Sequence, residues 1–520
     1  MSKKPYLYGS LTVIVLMLVG WLVGQVLATS DNTYMRILLL QDVVNQVSLR
    51  YVDEIPQDQL YQRAVSGLLK NLDPYTELIP AEEFKRFQEL QIKSEYLGTG
   101  ISISRVDGDI VVMSTFTGSS AWRHGIQPGD RIIKVNGNST KGWSTEQAKA
   151  NLLGPEGSDV EITVSRIGVP EPIDLTLTRM PVVVPTVTRH FMLDKAVGYL
   201  RLSNFTERSA EELKKHLEKL EAQGMTSLIL DLRDNVGGLT ESAIDICDLF
   251  LSKKQLIVSM RGRNPEDSKS FFSTGQPVFK NQLLVVLINE FTASSSEIVA
   301  GAFQDHDRAV IVGVNSFGKG LVQTTFPLSS GDVLKITTAR YYTPSGRNIQ
   351  REIYRRQRLS SDDEEEEEPK EPEKYLTDMG REVKGGGGIT PDVTVKADSA
   401  ATDPLIAEIF SHTFDFAVAY RSMHPDLQRP FVAGPEIYRA FISYLEGKLV
   451  KLEKNKVEKH RDYITNYLLT YQIAQVTWDE NTAYSFVANS DRQLVKALSI
   501  IKGGGTQSEI IERSIGEQSK

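Results

Sequence analysis

Asn289-Glu290-Phe291-Thr292-Ala293-Ser294-Ser295-Ser296-Glu297-Ile298 joins the apolar run Leu283 to Ile288 to the pattern Glu297 to Phe303. The first run reads as a buried strand and the second as a helix, which puts the serines at a strand-to-helix turn. Similar strand runs at Leu228 to Leu232 and Ala309 to Gly313, with an amphipathic helix over Glu207 to Glu221, predict an α/β core. A hydroxyl at Ser294 lies near a helix N-terminus, where unpaired N–H groups and the helix dipole favour an attacking oxygen and the oxyanion it creates. The plainer reading of the same residues is a helix cap, since serines ahead of a glutamate are good N-cap residues.

The strand ending at Gly313 runs into Ser316-Phe317-Gly318-Lys319-Gly320-Leu321-Val322-Gln323. A lysine between two glycines can approach another backbone and lose its water. Desolvation favours the neutral amine and lowers an ammonium pKa of ~10.4 by several units. A neutral Lys319 could then deprotonate Ser294. Gln323 could orient the amine, but in a straight strand the two side chains stand ~13 Å apart at ~3.3 Å per residue, so the chain must bend after Lys319. Singly, Lys319 also reads as a surface lysine and Gln323 as a solvated strand residue. Leu228 to Leu232 leads into Arg233-Asp234-Asn235-Val236-Gly237-Gly238. Two glycines there let N–H groups come close to a substrate carbonyl, or simply make a loop.

Three other chemistries have weaker support. A Ser-His-Asp site using His306 and Asp307 would need a base about 18 Å away along the helix, at 1.5 Å per residue. Neither an HExxH pair nor a cysteine cluster occurs, so no metal and no cofactor is expected. The net charge of −8 lacks the basic footprint of a nucleic-acid binder.

Taken together, these segments resemble the carboxyl-terminal processing peptidases, Ser/Lys proteases with an internal PDZ domain. The Ser294-to-Lys319 spacing matches that family, and its pattern selects Ser294 over Ser295 and Ser296. The resemblance implies Ser294 as nucleophile, Lys319 as base, Gln323 as its orienting partner, and an oxyanion hole built from N–H groups near Gly237, Gly238 and Ser295. Val236 stands where the family usually has proline. Lys335 to Arg347 and Gly385 to Asp392 are similar to the segments that close the family's core. A second block, Glu95-Tyr96-Leu97-Gly98-Thr99-Gly100-Ile101 followed by Ser119 to Gly137, resembles a PDZ domain. Such a domain implies that Tyr96, Leu97, Gly98, Thr99 and Gly100 form the loop that holds a peptide carboxylate, with the peptide pairing along the sheet edge. In the family this domain can also gate the protease.

The remaining sequence sets the frame. Lys3 and Lys4 precede a charge-free stretch from Pro5 to Ser30, apolar from Leu11 to Leu27. This predicts a membrane helix over 7–28, or a cleaved signal segment, with everything after Asp31 on the extracytoplasmic side, the periplasm if the source is bacterial. The single Cys247 excludes an internal disulfide. The expected architecture is multidomain α/β: a membrane segment over 1–30, a helical region over 31–93 that supports or pairs subunits, a β-rich PDZ domain over 94–180, a peptidase core over 181–398 with an acidic loop at 360–374, and a helical region over 399–520 ending in a loose tail from Gly503. The expected function is cleavage of protein substrates engaged through their C-termini. The alternative is an inactive PDZ scaffold that only binds such ends.

Overall fold

The computed structural model of the chain describes residues 34–275, 277–351, 373–448 and 453–518. They form two units, one containing the described residues up to Ile79 with Thr325–Ile336, the other containing the rest. In the smaller unit a helix over 34–50 is followed by Gln57–Lys70, and Glu77–Ile79 pairs antiparallel with Val333–Lys335. After the second helix Asp73 turns the chain, its carboxylate accepting from the Tyr75 and Thr76 N–H groups (2.8 Å each). Among the described residues no helix is long and apolar enough to cross a membrane. The segment expected to do so, over 7–28, lies outside them, as does the acidic stretch up to residue 372.

In the larger unit the first strands alternate apolar and polar residues, the pattern of a sheet with one dry face. β1 (Glu95–Gly98), β2 (Ile101–Val106), β3 (Asp109–Thr115), helix α1 (Ser120–Arg123), β4 (Arg131–Val135), helix α2 (Thr145–Leu152), β5 (Asp159–Ser165), β6 (Ile173–Thr178) and β7 (Met180–Val183) follow in order. β2 to β6 make one antiparallel sheet in sequence order, with β2 at an edge, while β1 and β7 pair separately and close the domain. Ile103, Ile110, Val112, Ile132, Val160 and Ile162 pack with Ala148 and Leu152 of α2.

The core sheet comprises β8 (Val187–Met192), β9 (Val197–Leu202), β10 (Ser227–Asp231), β11 (Leu283–Ile288), β12 (Val310–Gly313) and β15 (Val393–Thr394), in that spatial order. β8 is antiparallel to β9 and the other pairs are parallel. Between them in the chain come helices α3 (Ser209–Ala222), α4 (Thr240–Asp248) and α5 (Ser295–Asp305), then strands β13 (Leu321–Pro327) and β14 (Val333–Tyr342). A parallel sheet is covered on both faces, which is why its strands are continuously apolar. Leu228, Leu230, Leu284 and Val286 meet α3, α4 and α5 on one side. Cys247 is buried there, its thiol pushed up by burial, as an ordinary core residue.

The helices α6 (Pro404–Met423), α7 (Pro435–Lys448), α8 (Thr470–Thr477), α9 (Glu480–Val487), α10 (Arg492–Lys502) and α11 (Gln507–Gln518) make up the C-terminal region. It supplies the second helical layer of the core: Ile229, Val285, Leu287, Val310 and Val312 pack on Tyr484, Leu494, Ala497 and Ile500. The tail is not loose, because Ile510 and Ile511 of α11 are fully buried in that layer. Elsewhere α6 and α7 cover the face of β3 that its own domain leaves open, around Val111, and Tyr438, Phe441 and Leu445 are core residues there.

β8 and α3 meet at His190 and His216, whose rings lie 3.8 Å apart. Burial, then the charges of His216 and Lys219, push the His190 imidazole down to about 4, with Asp479 pulling the other way. Burial, Lys219 and Lys215 also lower His216. Lowered values mean that the unfolded chain takes up protons the folded core refuses, so this contribution is intact above the unfolded value of ~6.5 and is lost as pH falls toward 4. The thermal midpoint is expected to drop between pH 7 and 4.5, and His190→Phe to flatten that slope in calorimetry. An unchanged slope would remove the pair from the acid response.

Candidate active site

β10 and β11 are parallel neighbours, so their carboxyl ends lie side by side at the end of the sheet where open α/β folds place ligands. β11 ends at Ile288, and Ser294 is the N-cap residue of α5 with φ 56° and ψ −116°. That conformation is strained for a residue with a side chain, and a serine on a sharp strand-to-helix turn is how a nucleophilic hydroxyl is presented. The three serines separate by partner. Ser295 Oγ donates to the Gly238 carbonyl (2.8 Å) and Ser296 Oγ to the Asn235 carbonyl (2.9 Å), so both pin the neighbouring turn. The capping reading is also correct, because Ser294 is both the cap and the strained residue.

Glu297, fully buried, connects that serine to the lysine loop. Its Oε2 accepts from the Ser294 N–H (2.9 Å) and from the Lys319 N–H (2.8 Å). Its Oε1 accepts from Ser316 Oγ (2.5 Å) and from the Gly318 N–H (2.8 Å). The main-chain nitrogens of Ser294 and Lys319 therefore share one acceptor and lie within about 6 Å of each other. Burial pushes the Glu297 carboxyl above its ordinary range, and the four donated hydrogen bonds hold back part of that rise. The Phe317 N–H donates to the Thr292 carbonyl (2.9 Å), a further tie between the two loops. Lys319 itself is half-buried.

The turn after β10 lies against the serine. A Cβ at Gly237 would sit 2.9 Å from Ser294 Cβ, and one at Gly238 would sit 2.1 Å from the Phe205 carbonyl oxygen, so only glycine fits at either position. The Gly237 N–H donates to Asn235 Oδ1 (2.9 Å) and is occupied in this arrangement. The Gly238 and Ser295 N–H groups have no acceptor among the described residues. Asn235 is buried and also donates from Nδ2 to the Leu202 carbonyl (2.9 Å), while Asn289 accepts from the Asp234 N–H (2.9 Å) and donates to Asp234 Oδ1 (2.7 Å). Val236 is exposed, so the residue that replaces the usual proline has no packing role.

The backbone around Lys319 is irregular up to the start of β13. Gly318 has φ 88°, the Gly320 N–H donates to Gln350 Oε1 (2.9 Å), and β13 starts only at Leu321. Gln323 donates from Nε2 to Thr337 Oγ1 (3.3 Å). His306 is at the far end of α5, with Nδ1 on Asp378 Oδ2 and Nε2 on the Leu256 carbonyl (2.7 Å each), so neither ring nitrogen is available as a base for Ser294. Among the described residues no group of side chains could hold a metal.

Of the expected carboxylate loop, Tyr96, Leu97 and Gly98 belong to β1, because that strand pairs with β7 to close the domain; Thr99 and Gly100 alone form the turn into β2. The Thr99 and Gly100 carbonyls accept from the Ala121 and Phe116 N–H groups (3.0 Å each). Gly100 has φ 81°, and a Cβ there would strike Ser119. The Tyr96 ring packs edge-on against Phe116, and burial pushes its hydroxyl up to about 12.

A doubly covered α/β sheet with a strained serine turn beside a lysine loop, joined to a six-stranded antiparallel sheet, describes a serine-type peptidase with an accessory domain. Sequence comparison agrees. The profile described as Peptidase family S41 matches residues 196–355 and that described as PDZ domain matches residues 111–166. The chain is 38% identical to the carboxy-terminal-processing protease of Bartonella bacilliformis over 325 residues, 62% of this chain and 74% of that one. It is 34% identical to the carboxy-terminal processing protease CtpA of Bacillus subtilis over 326 residues, 62% and 68% of the two chains. The corresponding protease of Synechocystis is 36% identical over 296 residues, 55% and 68%. The chain belongs to the carboxy-terminal-processing proteases of peptidase family S41.

Glu297, Asn235 and Asn289 were not read as site residues from the sequence. The only signal was the glutamate three residues after Ser294, which looks like a cap and nothing more. Glu297→Gln keeps the shape but turns an NH₂ group toward at least one N–H donor, because either oxygen position accepts a main-chain N–H. The substitution is expected to lower kcat by about 10²-fold through misplacement of the two loops, and stability by about 1–3 kcal/mol. Steady-state kinetics and thermal melting check both.

Proposed function

We propose that Ser294 and Lys319 form the proteolytic pair of this protease and that its PDZ domain engages the C-terminal end of an unfolded or tailed protein. The observation that carries the reading is the convergence of the Ser294 and Lys319 main chains on one Glu297 oxygen, next to a serine held at φ 56°. The neutral Lys319 amine takes the Ser294 proton as Oγ attacks the scissile carbonyl carbon. The Gly238 and Ser295 N–H groups stabilise the resulting oxyanion, and Gly237 joins them if Asn235 releases it. Collapse breaks the C–N bond, and the Lys319 ammonium passes its proton to the leaving amine. Water, deprotonated by the same amine, then hydrolyses the acyl-enzyme. Gln323 orients Lys319 from β13. No cofactor enters.

Tyr96 to Gly100 lead into β2, an edge strand with α2 beside it, a setting suited to an extended peptide that adds to the sheet and ends at the Thr99-Gly100 turn. The charge-free stretch from Pro5 to Ser30 behind two lysines supports an anchored enzyme acting on the extracytoplasmic face. The division into 1–30, 31–93, 94–180, 181–398 and 399–520 serves as its working domain plan.

Ser294→Ala and Lys319→Ala are each expected to abolish fragment formation from an unfolded protein while leaving its binding intact. Wild-type kcat/KM falls on acidification as the amine protonates, and His306→Asn keeps that acid limb. Amidation of the substrate C-terminus lowers the cleavage rate. A Lys319→Ala enzyme that still cuts normally removes the lysine from the mechanism. Binding without cutting by the wild type would instead make the chain a scaffold.

A further inference from the structure

Asp231 and Arg233 flank the start of the glycine turn, and the C-terminal helices reach the core at this point. Asp231, the last residue of β10, is fully buried and accepts from Tyr199 OH (2.6 Å) and from Arg233 Nη2 (2.6 Å) and the Arg233 N–H (2.9 Å). The other side of the guanidinium faces the C-terminal layer. Nη1 donates to Gln493 Oε1 (2.8 Å) and Asp491 Oδ1 (3.2 Å), and Nη2 donates to Tyr484 OH (3.1 Å) and lies 2.9 Å from Asp491 Oδ2. Tyr484 OH donates in turn to Asp491 Oδ2 (2.6 Å). Asp491 is itself fixed as the N-cap of α10, accepting from the Gln493 and Leu494 N–H groups. Burial raises both carboxyls, but the Arg233 charge outweighs it and holds them below the ordinary carboxylate range.

We propose that Asp491 is a positioning residue of this protease, which by holding Arg233 fixes the turn that carries the Gly238 N–H beside Ser294. Asp231 lies two residues from Arg233 and travels with the same strand end, so the pair alone leaves the guanidinium's outer edge without a reference. Asp491 supplies that reference from 258 residues away, on a helix that β10 and β12 already pack against. From Arg233 the constraint runs directly into the main chain: the Arg233 carbonyl accepts from Arg201 Nη2 (3.2 Å), and two residues later Asn235 is held by Leu202 and by Ser296. The helical region beyond the matched peptidase segment is thereby part of the catalytic apparatus, although it does not touch substrate. The inference rests on Ser294 being the nucleophile.

The test uses the full chain. Asp491→Asn keeps size and capping ability but removes the charge. It is expected to lower kcat 10- to 100-fold, a fraction of what losing an oxyanion donor costs, with KM changed less than about two-fold. The affinity of a peptide aldehyde, whose adduct oxygen needs the same donors, falls by a similar factor, whereas the melting midpoint stays within about 5 °C. Tyr484→Phe, a gentler change that carries the test if Asp491→Asn folds poorly, gives a smaller loss of the same kind. In an Arg233→Gln background Asp491→Asn produces no further loss. Full kcat and aldehyde affinity in Asp491→Asn, or an undiminished loss in the Arg233→Gln background, overturns the proposal while Ser294→Ala remains dead. A loss that follows the melting midpoint with aldehyde affinity unchanged reduces Asp491 to a structural residue and overturns it too. Retained cleavage in Ser294→Ala rejects the nucleophile and this inference with it.

Discussion

A single buried carboxylate organises the site. Glu297 binds four donors that come from the serine turn and the lysine loop. Burying a carboxylate is costly, and the donors at a helix start and a glycine turn offset part of that cost. The same arithmetic makes the arrangement specific. An apolar residue at this position would leave the N–H groups of Ser294, Gly318 and Lys319 without an acceptor in a dry interior. Those groups would move toward water, and the serine and lysine would move apart with them.

Around that contact the rest of the molecule acts as a set of walls. The glycine turn is held by Asn235 from below, by Asn289 from the serine loop, and at its start by the Asp231–Arg233–Asp491 chain. The other end of α5 is fixed by Arg347, fully buried between Asp305 and Gln304 (2.7 Å each). The C-terminal helices take part twice over. α9 to α11 cover one face of the catalytic sheet, while α6 and α7 cover the open face of the PDZ sheet, with Val418 packed against the left-handed Gly129. α6 packs on α8 and α8 on α9, so the two sheets share one continuous helical layer.

What was readable in the sequence was local. The strand-turn-helix around Ser294, the bend at Gly318-Lys319-Gly320 and the paired glycines each announce themselves within ten residues, and the structure has all three. Glu297 was visible only as a cap, because its other partners begin nineteen residues downstream. The C-terminal layer was unreadable for a related reason. Ile510 and Ile511 are an isolated apolar pair in a polar segment, and Asp491 is one carboxylate among many until a partner 258 residues away gives it a role. Tyr96 to Gly98 looked like a loop because the pairing that makes them a strand comes from Met180 to Val183, at the opposite end of the domain.

The strained backbone at Ser294 follows from these demands in combination. A left-handed turn between β11 and α5 would be filled most comfortably by glycine, and Gly237 and Gly238 show that choice being made on the facing loop, where no side chain is needed. The proposed role of Ser294 as nucleophile rules glycine out at that position, since it needs a hydroxyl there. The penalty, on the order of 1–3 kcal/mol, is offset locally: the Ser294 N–H is held by Glu297, its carbonyl accepts from the Glu297 and Ile298 N–H groups, and the next two hydroxyls are tied to the opposite loop. Relaxing the turn would therefore break contacts on both sides at once. Strain at one residue is maintained by the hydrogen bonds of its neighbours.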